Sequence, residues 1–373
     1  MPDDDPAARK RFIDMNELLP RERVQLALRH QDTDRVPVDF QATPDAWARL
    51  KAYLGIGEDE EVLRHLGIDL RHPRLPYIGP GLRRYSDGSW IDAWGVRRRL
   101  VPHGHGAYDE ITRHPLADAM DPSELDQYPW PQAEWWDAKA LADEIRRLDA
   151  QGSYAIVLDD FGDPGGVFEI GWYLRGMEKL LEDLVAQPDM AFAIMKHVAD
   201  FYARSLELVM AAVDDRVDLI WTSDDIAHQQ GMLMSLQVWR ELIAPHHERL
   251  NRRIHELGTR VMYHSCGAVR PFIPDLIKLG VDVLDPLQFS AQGMNPDEIQ
   301  TSFGGRLSFH GGIDVQNTLP WGSPEEVRCI TRERIATLGR QGGYILAPTN
   351  FIQVDTPPEN VVAMYSEAHS LAT

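Results

Sequence analysis

Short apolar runs recur along this chain, spaced so that one amphipathic helix fits between most neighbouring pairs. That rhythm restricts the fold more than any other feature. The runs are Val36–Phe40, Gly67–Leu70, Tyr154–Leu158, Asp218–Trp221, Arg260–Tyr263, Val281–Leu284, Leu307–Phe309 and Tyr344–Leu346. Helical apolar periods occupy 175–187, 189–213, 236–258, 270–279 and 323–341. Strands that alternate with crossover helices pair in parallel. Eight such units predict an α/β fold, a closed (βα)8 TIM barrel. An open doubly wound sheet is disfavoured, because no Gly-x-Gly-x-x-Gly follows the first strand.

A helix predicted to start after Pro20 gives the barrel an N-terminal helical extension, with Val24, Leu26, Ala27 and Leu28 as its apolar stripe. Residues 1–19 read as a polar arm, and 20–373 as a single domain. The stretch 73–135 breaks the rhythm with Gly79-Pro80-Gly81, Asp92-Ala93-Trp94-Gly95 and a Trp/Pro-rich segment at 129–136. It is expected to be an insertion, a small hairpin and lid over the barrel mouth.

The formal charge of -20, from 58 acidic and 38 basic residues, repels phosphate backbones and anionic membranes, so neither nucleic acid nor membrane is an expected partner. Two cysteines, Cys266 and Cys329, are too few for a disulfide framework and fit a cytoplasmic protein. No apolar run reaches the length of a membrane span, and the acidic opening Met1–Asp5 does not read as a signal peptide. A small-molecule substrate is expected instead.

Barrel enzymes carry their chemistry just after the strands. The residues there form a polar set: Asp159-Asp160, Ser223-Asp224-Asp225, His264 and Cys266, Asp285 and Gln288, His310 and Asp314, Thr349 and Asn350. His264 and Cys266, two apart on extended chain, point to one side and suit one Zn²⁺. The competing reading is a histidine and a small cysteine packed at a strand end. A catalytic zinc needs a third protein ligand, for which Asp224, Glu169 and His310 are candidates. Cys329, mid-helix, is expected to be buried packing. Of the pair Asp224-Asp225, one is expected to serve substrate, metal or proton transfer, and the other to cap the next helix, with Asp224 the inward one. Asp224, Asp225 and His310 are the candidate catalytic groups. Asp160 carries the same ambiguity and is a candidate substrate ligand. Gln229 and Gln230 read as hydrogen-bonding groups, His103 and His105 as solvent-exposed, and His246-His247 as surface or packing.

Several segments together resemble the uroporphyrinogen decarboxylase-like superfamily. They are Arg21–Val24 with Asp34–Phe40, His264-Ser265-Cys266-Gly267 before an apolar helix, Gly311–Asp314, and Gly342–Pro348 followed by Pro357–Asn360. The resemblance spans about residues 20 to 370 and implies the barrel. It offers two chemistries. The true decarboxylases hold a polycarboxylate with arginines after the first strand. Here Gln41-Ala42-Thr43-Pro44 stands there, and Asp69 falls where the decarboxylase aspartate would. Should decarboxylation nevertheless be the reaction, Arg71, Arg74, Arg83, Arg84 and Arg97–Arg99 are the basic candidates. The other branch holds zinc-dependent methyltransferases that work with corrinoid proteins. Their zinc begins with a His-x-Cys that His264 and Cys266 match, and ends with a cysteine after the last strand, where this chain has Asn350. By that resemblance the expected function is methyl transfer, with zinc and a corrinoid-bearing partner protein; Asp69, Asp160, Gln230 and Asn350 are the candidate substrate ligands. A homodimer is a further expectation.

Overall fold

A computed structural model describes residues 18–103, 106–159 and 165–371. Its centre is a curled seven-stranded parallel sheet. The strands are β1 (Leu70–Arg71), β2 (Ala155–Asp159), β3 (Leu219–Ser223), β4 (Arg260–His264), β5 (Val283–Asp285), β6 (Ser308–Ile313) and β7 (Tyr344–Pro348). They pair in chain order. The first apolar run does not make a full strand. It is drawn out between the two sheet edges: Asp39 N donates to Leu346 O on β7, and Asp69 N donates to Val38 O beside β1. The eight expected units therefore appear as seven strands and one bridging segment, a TIM-like α/β fold.

Period-two alternation sorts the strands into an inner and an outer face. Leu70, Ala155, Val157, Leu219, Met262, Val283 and Ile345 meet inside the curl, where Val24 of the helix Pro20–Ala27 and Leu28 at its C-cap plug the lower end. Their neighbours Ile156, Leu158, Ile220, Val261, Tyr263, Leu284 and Phe309 face the helical shell. The plug is locked by charge. Asp69, fully buried, takes Arg23 Nη1 at 2.6 Å, Arg35 Nη1 at 2.7 Å and Val38 N at 2.9 Å.

The period read over 236–258 is two helices, Leu236–Leu242 and Ala244–Glu256. Pro245 lacks the N–H that a continuous helix needs and starts the second one instead. The insertion carries a three-stranded antiparallel sheet of Trp90–Ile91, Arg97–His103 and Gly106–Arg113. Trp94 pins it to the long helix Pro188–Ala212, its ring 4.9 Å from that of Phe201. Cys329 is exposed on Pro324–Leu338, not buried as expected. His105 and the side chain of His103 lie outside the described residues. Among the described residues, no helix is long and apolar enough to cross a membrane.

Candidate metal and catalytic site

One residue pair above the inner apolar layer, the same alternation builds a polar layer. Leu70 leads to His72, Val157 to Asp159, Leu219 to Trp221, Met262 to His264 and Val283 to Asp285, each two residues on and so on the same face. His310 joins from β6 and Asp39 from the bridging segment. The side chains form a continuous chain of contacts. Cys266 Sγ lies 3.5 Å from His264 Nε2, and His264 Nδ1 lies 2.7 Å from Asp285 Oδ2. Asp285 Oδ1 lies 2.6 Å from His310 Nδ1, and His310 Nε2 lies 3.1 Å from Asp39 Oδ2. Asp39 Oδ2 lies 2.9 Å from His72 Nε2, and His72 Nδ1 lies 3.0 Å from Asp159 Oδ1. Trp221 Nε1 also donates to Asp285 Oδ2 at 2.8 Å.

Alternating acids and imidazoles shift one another. Burial alone would raise Asp39 and Asp285, but their histidine neighbours hold both carboxyls well below the usual range. Burial opposes charge on His310, yet Asp285 and Asp39 lift it to about 9. His72 is raised well above its ordinary value in the same way, against burial, by Asp39 and Asp159. His264 is raised too, against burial, by Cys266 and Asp285.

Asp225, His264 and Cys266 form the one group among the described residues that could hold a metal ion, with ligand atoms all within 4.8 Å of one another. The local chain explains the arrangement. Cys266 N donates to Asp225 Oδ1 at 2.8 Å, which ties the ends of β3 and β4 together. Gly267 N donates to Gln288 Oε1 at 2.8 Å. Gly267 sits at φ +88, and a Cβ there would lie 2.7 Å from His228 O, so the turn that presents Cys266 requires glycine. Asn350, after β7, places its Nδ2 3.6 Å from Cys266 Sγ. The position at which the resemblance expects a third sulfur therefore does reach the site, holding an amide.

The two neighbouring aspartates exchange the orientations expected of them. The β3 ladder runs on to Asp224, whose N donates to His264 O at 3.0 Å. Asp224 therefore shares the outward face of Ile220 and Thr222. Fully buried, it takes Glu169 N at 2.8 Å and lies 2.5 Å from His247 Nε2. It caps the N-terminal turn of the helix Val167–Arg175, not the helix that follows it. The close approach depends on Gly166, where a Cβ would lie 1.4 Å from Ser223 O. Asp225 is the acid at the mouth. Glu169 lies near it, and burial, then Asp225 and Asp224, push its carboxyl up to about 7 against a bond from Tyr173.

Other expectations resolve differently. Asp69 is locked in the arginine cluster at the lower end of the sheet and is closed to substrate. Gln230 is exposed on a two-stranded ribbon, with its N donating to His228 Nδ1 at 3.3 Å. Asp160 lies outside the described residues. Of the two readings open for His246 and His247, surface or packing, packing holds: both are buried, His246 with its ring 4.5 Å from that of Phe192. Asp39 and His72 were missed. The signal that finds them is the pleat itself: each lies on the inner face at the mouth end of a run whose apolar residues fill the interior.

The uroporphyrinogen decarboxylase (URO-D) profile matches residues 120–371. The chain belongs to the uroporphyrinogen decarboxylase family. Within it, the chain is similar to a methylated-thiol–coenzyme M methyltransferase of Methanosarcina mazei, 26% identical over 196 residues. That match covers 52% of this chain and 49% of the relative, so the chain spans about half the length of the curated relative it matches. The solved structure of a methyltransferase from Methanosarcina mazei superposes with a TM-score of 0.65 at 19% identity, covering 95% of this chain and 99% of that one. That likeness supports the fold over nearly the whole chain, beyond the residues that the profile matches.

Proposed function

We propose that this family member is a metal-assisted methyltransferase acting at the mouth of a (βα)8-type barrel, with Zn²⁺ held by Asp225, His264 and Cys266 and a corrinoid-bearing protein as its partner. The observation that carries the reading is the convergence of one carboxylate, one imidazole and one thiol within 4.8 Å. The donors suit zinc in kind. Asp285 occupies His264 Nδ1 and leaves Nε2 turned to Cys266, the carboxylate–histidine arrangement that orients metal-bound imidazoles. Zinc there would supply Lewis acidity, keeping an acceptor thiol ionised or polarising the heteroatom that carries the methyl group.

The remaining work falls to the chain. Asp285 fixes the imidazole's tautomer and ring plane. Asn350 donates to the Cys266 sulfur and tempers its charge. His310 and Asp39 hold Asp285 in place from behind. Glu169, with a carboxyl near 7, can give or take a proton at the mouth at neutral pH. The relative whose name specifies methylated thiols and coenzyme M supports methyl transfer over decarboxylation. So do two of the basic residues considered for a carboxylated substrate: Arg71 is buried against Glu60 at 2.8 Å and Arg98 is bonded to Asp92 at 2.7 Å.

Metal analysis of the purified protein is the direct test. About one zinc per chain is expected, lost in His264→Ala and Cys266→Ala. Wild type that neither carries zinc nor takes it up on titration overturns the metal reading.

A further inference from the structure

Beside the metal group lies a pocket of about 450 Å³, counting the open solvent at its mouth. Its charge pattern restricts what it can hold. Among the described residues, the ionisable groups lining it are two carboxylates, Asp39 and Asp285, and two imidazoles, His264 and His310. Whatever the histidines' protonation, that sum is never positive. Among the described residues, no lysine or arginine lines the pocket. Arg71, next in sequence to the polar layer, faces outward onto Glu60 and the Tyr154 ring. The neutral amides are already engaged, Gln41 with His72 at 3.1 Å and Asn350 with Cys266. A bound Zn²⁺ would not change the sign, because the Cys266 thiolate and Asp225 carboxylate cancel its two charges.

An anion in this pocket would be desolvated against a neutral or negative floor with nothing to pair it, which is strongly unfavourable. A cation fares little better. Asp39 is shared between His72 and His310, and Asp285 between His264, His310 and Trp221, so neither carboxylate is free to face a ligand. The rest of the lining among the described residues is Phe40, Trp221, Ala347, Pro348 and Phe351, apolar and mostly aromatic, with Thr349 the one further polar side chain.

We propose that the pocket selects an uncharged methylated compound with an apolar body and rejects anionic ones. This rests on the methyl-transfer reading for the word "methylated", but the charge selectivity comes from the pocket alone.

Three nearly isosteric probes test it on the full-length protein as purified: para-methylthio-benzamide, -benzoate and -benzamidine, which are neutral, anionic and cationic. Binding is read as quenching that is present in wild type and absent in Trp221→Phe, which localises it to this pocket. The neutral amide should bind at least tenfold more tightly than either charged probe. A benzoate or benzamidine that binds as well as the amide overturns the proposal, as does failure of the amide to quench at all. A second variant guards against a purely steric result. Asn350→Arg adds a cation at the rim and should raise the benzoate-to-amide affinity ratio at least tenfold. An unchanged ratio would mean that charge does not set the selectivity. Absence of zinc or of methyl transfer would defeat the parent reading and leave these binding ratios standing.

Discussion

Replacing Asp224 and Asp225 by asparagine, one at a time, separates two roles that sit side by side in the sequence. Asp224 is fully buried and serves two partners, Glu169 N at 2.8 Å and His247 Nε2 at 2.5 Å. Asparagine keeps an acceptor for Glu169 N but loses the charge facing His247. A hydrogen bond to a buried charged group contributes about 1.5–3 kcal/mol, and breaking a buried ion pair outright costs about 3–5 kcal/mol. Asp224→Asn should therefore lose about 2–3 kcal/mol of stability. Asp225 has a side chain 42% exposed and a weak 4.0 Å approach to His264. Its asparagine still accepts from Cys266 N, so the stability change should stay below about 1 kcal/mol. Zinc should respond in the opposite order. Removing an outer-shell partner already costs about 10–100-fold in metal affinity, and Asp225→Asn removes a ligand charge, so a loss of at least about tenfold is expected; Asp224→Asn should bind zinc within a few-fold of wild type. Urea unfolding of chelator-treated protein reads the first quantity, and titration against a chromophoric chelator reads the second. If Asp225→Asn were the unstable variant and Asp224→Asn the one that lost zinc, the outward turn of Asp224 would be wrong.

Two further outcomes follow from the same geometry. Asn350→Cys puts a sulfur beside Cys266 and should raise zinc affinity at least tenfold, measured by the same titration; unchanged affinity would mean that this position does not face the metal. His246, 4% exposed and pressed on Phe192, is lowered to about 4 by burial and by its neighbours His247 and Arg249. Its folded form binds fewer protons than the unfolded chain, whose histidine titrates near 6.5, so stability falls as pH drops from about 6.5 through 4. That shift corresponds to about 3 kcal/mol, and His246→Phe should lack this part of the acid loss in urea midpoints compared between pH 7 and 4.

The alternation of short apolar runs with amphipathic helices determined the architecture without help from tertiary detail. Each run buries both faces, and only parallel pairing with crossover helices covers them. All eight runs return as sheet strands or as the segment bridging the sheet edges. The mouth-facing pair His264 and Cys266 was legible for a related reason, since residues two apart on extended chain share a face; the Asn350 position was marked instead by the family resemblance. The sequence could not say where each strand stops. The run at Asp218–Trp221 looked finished before the aspartates, yet its ladder continues to Asp224, and those extra residues reverse which carboxylate enters the mouth. Nor could it show that Asp69 would be taken by Arg23 and Arg35, some 46 and 34 positions away, or that Asp39, His72, His310 and Asp285 would join into one chain. Those contacts come from different strands, and local spacing carries no record of which strand ends up beside which. The convergence of Asp225 with His264 and Cys266 is of the same kind: the pleat offers each side chain to the mouth, but only the curled sheet brings their ligand atoms within 4.8 Å of one another.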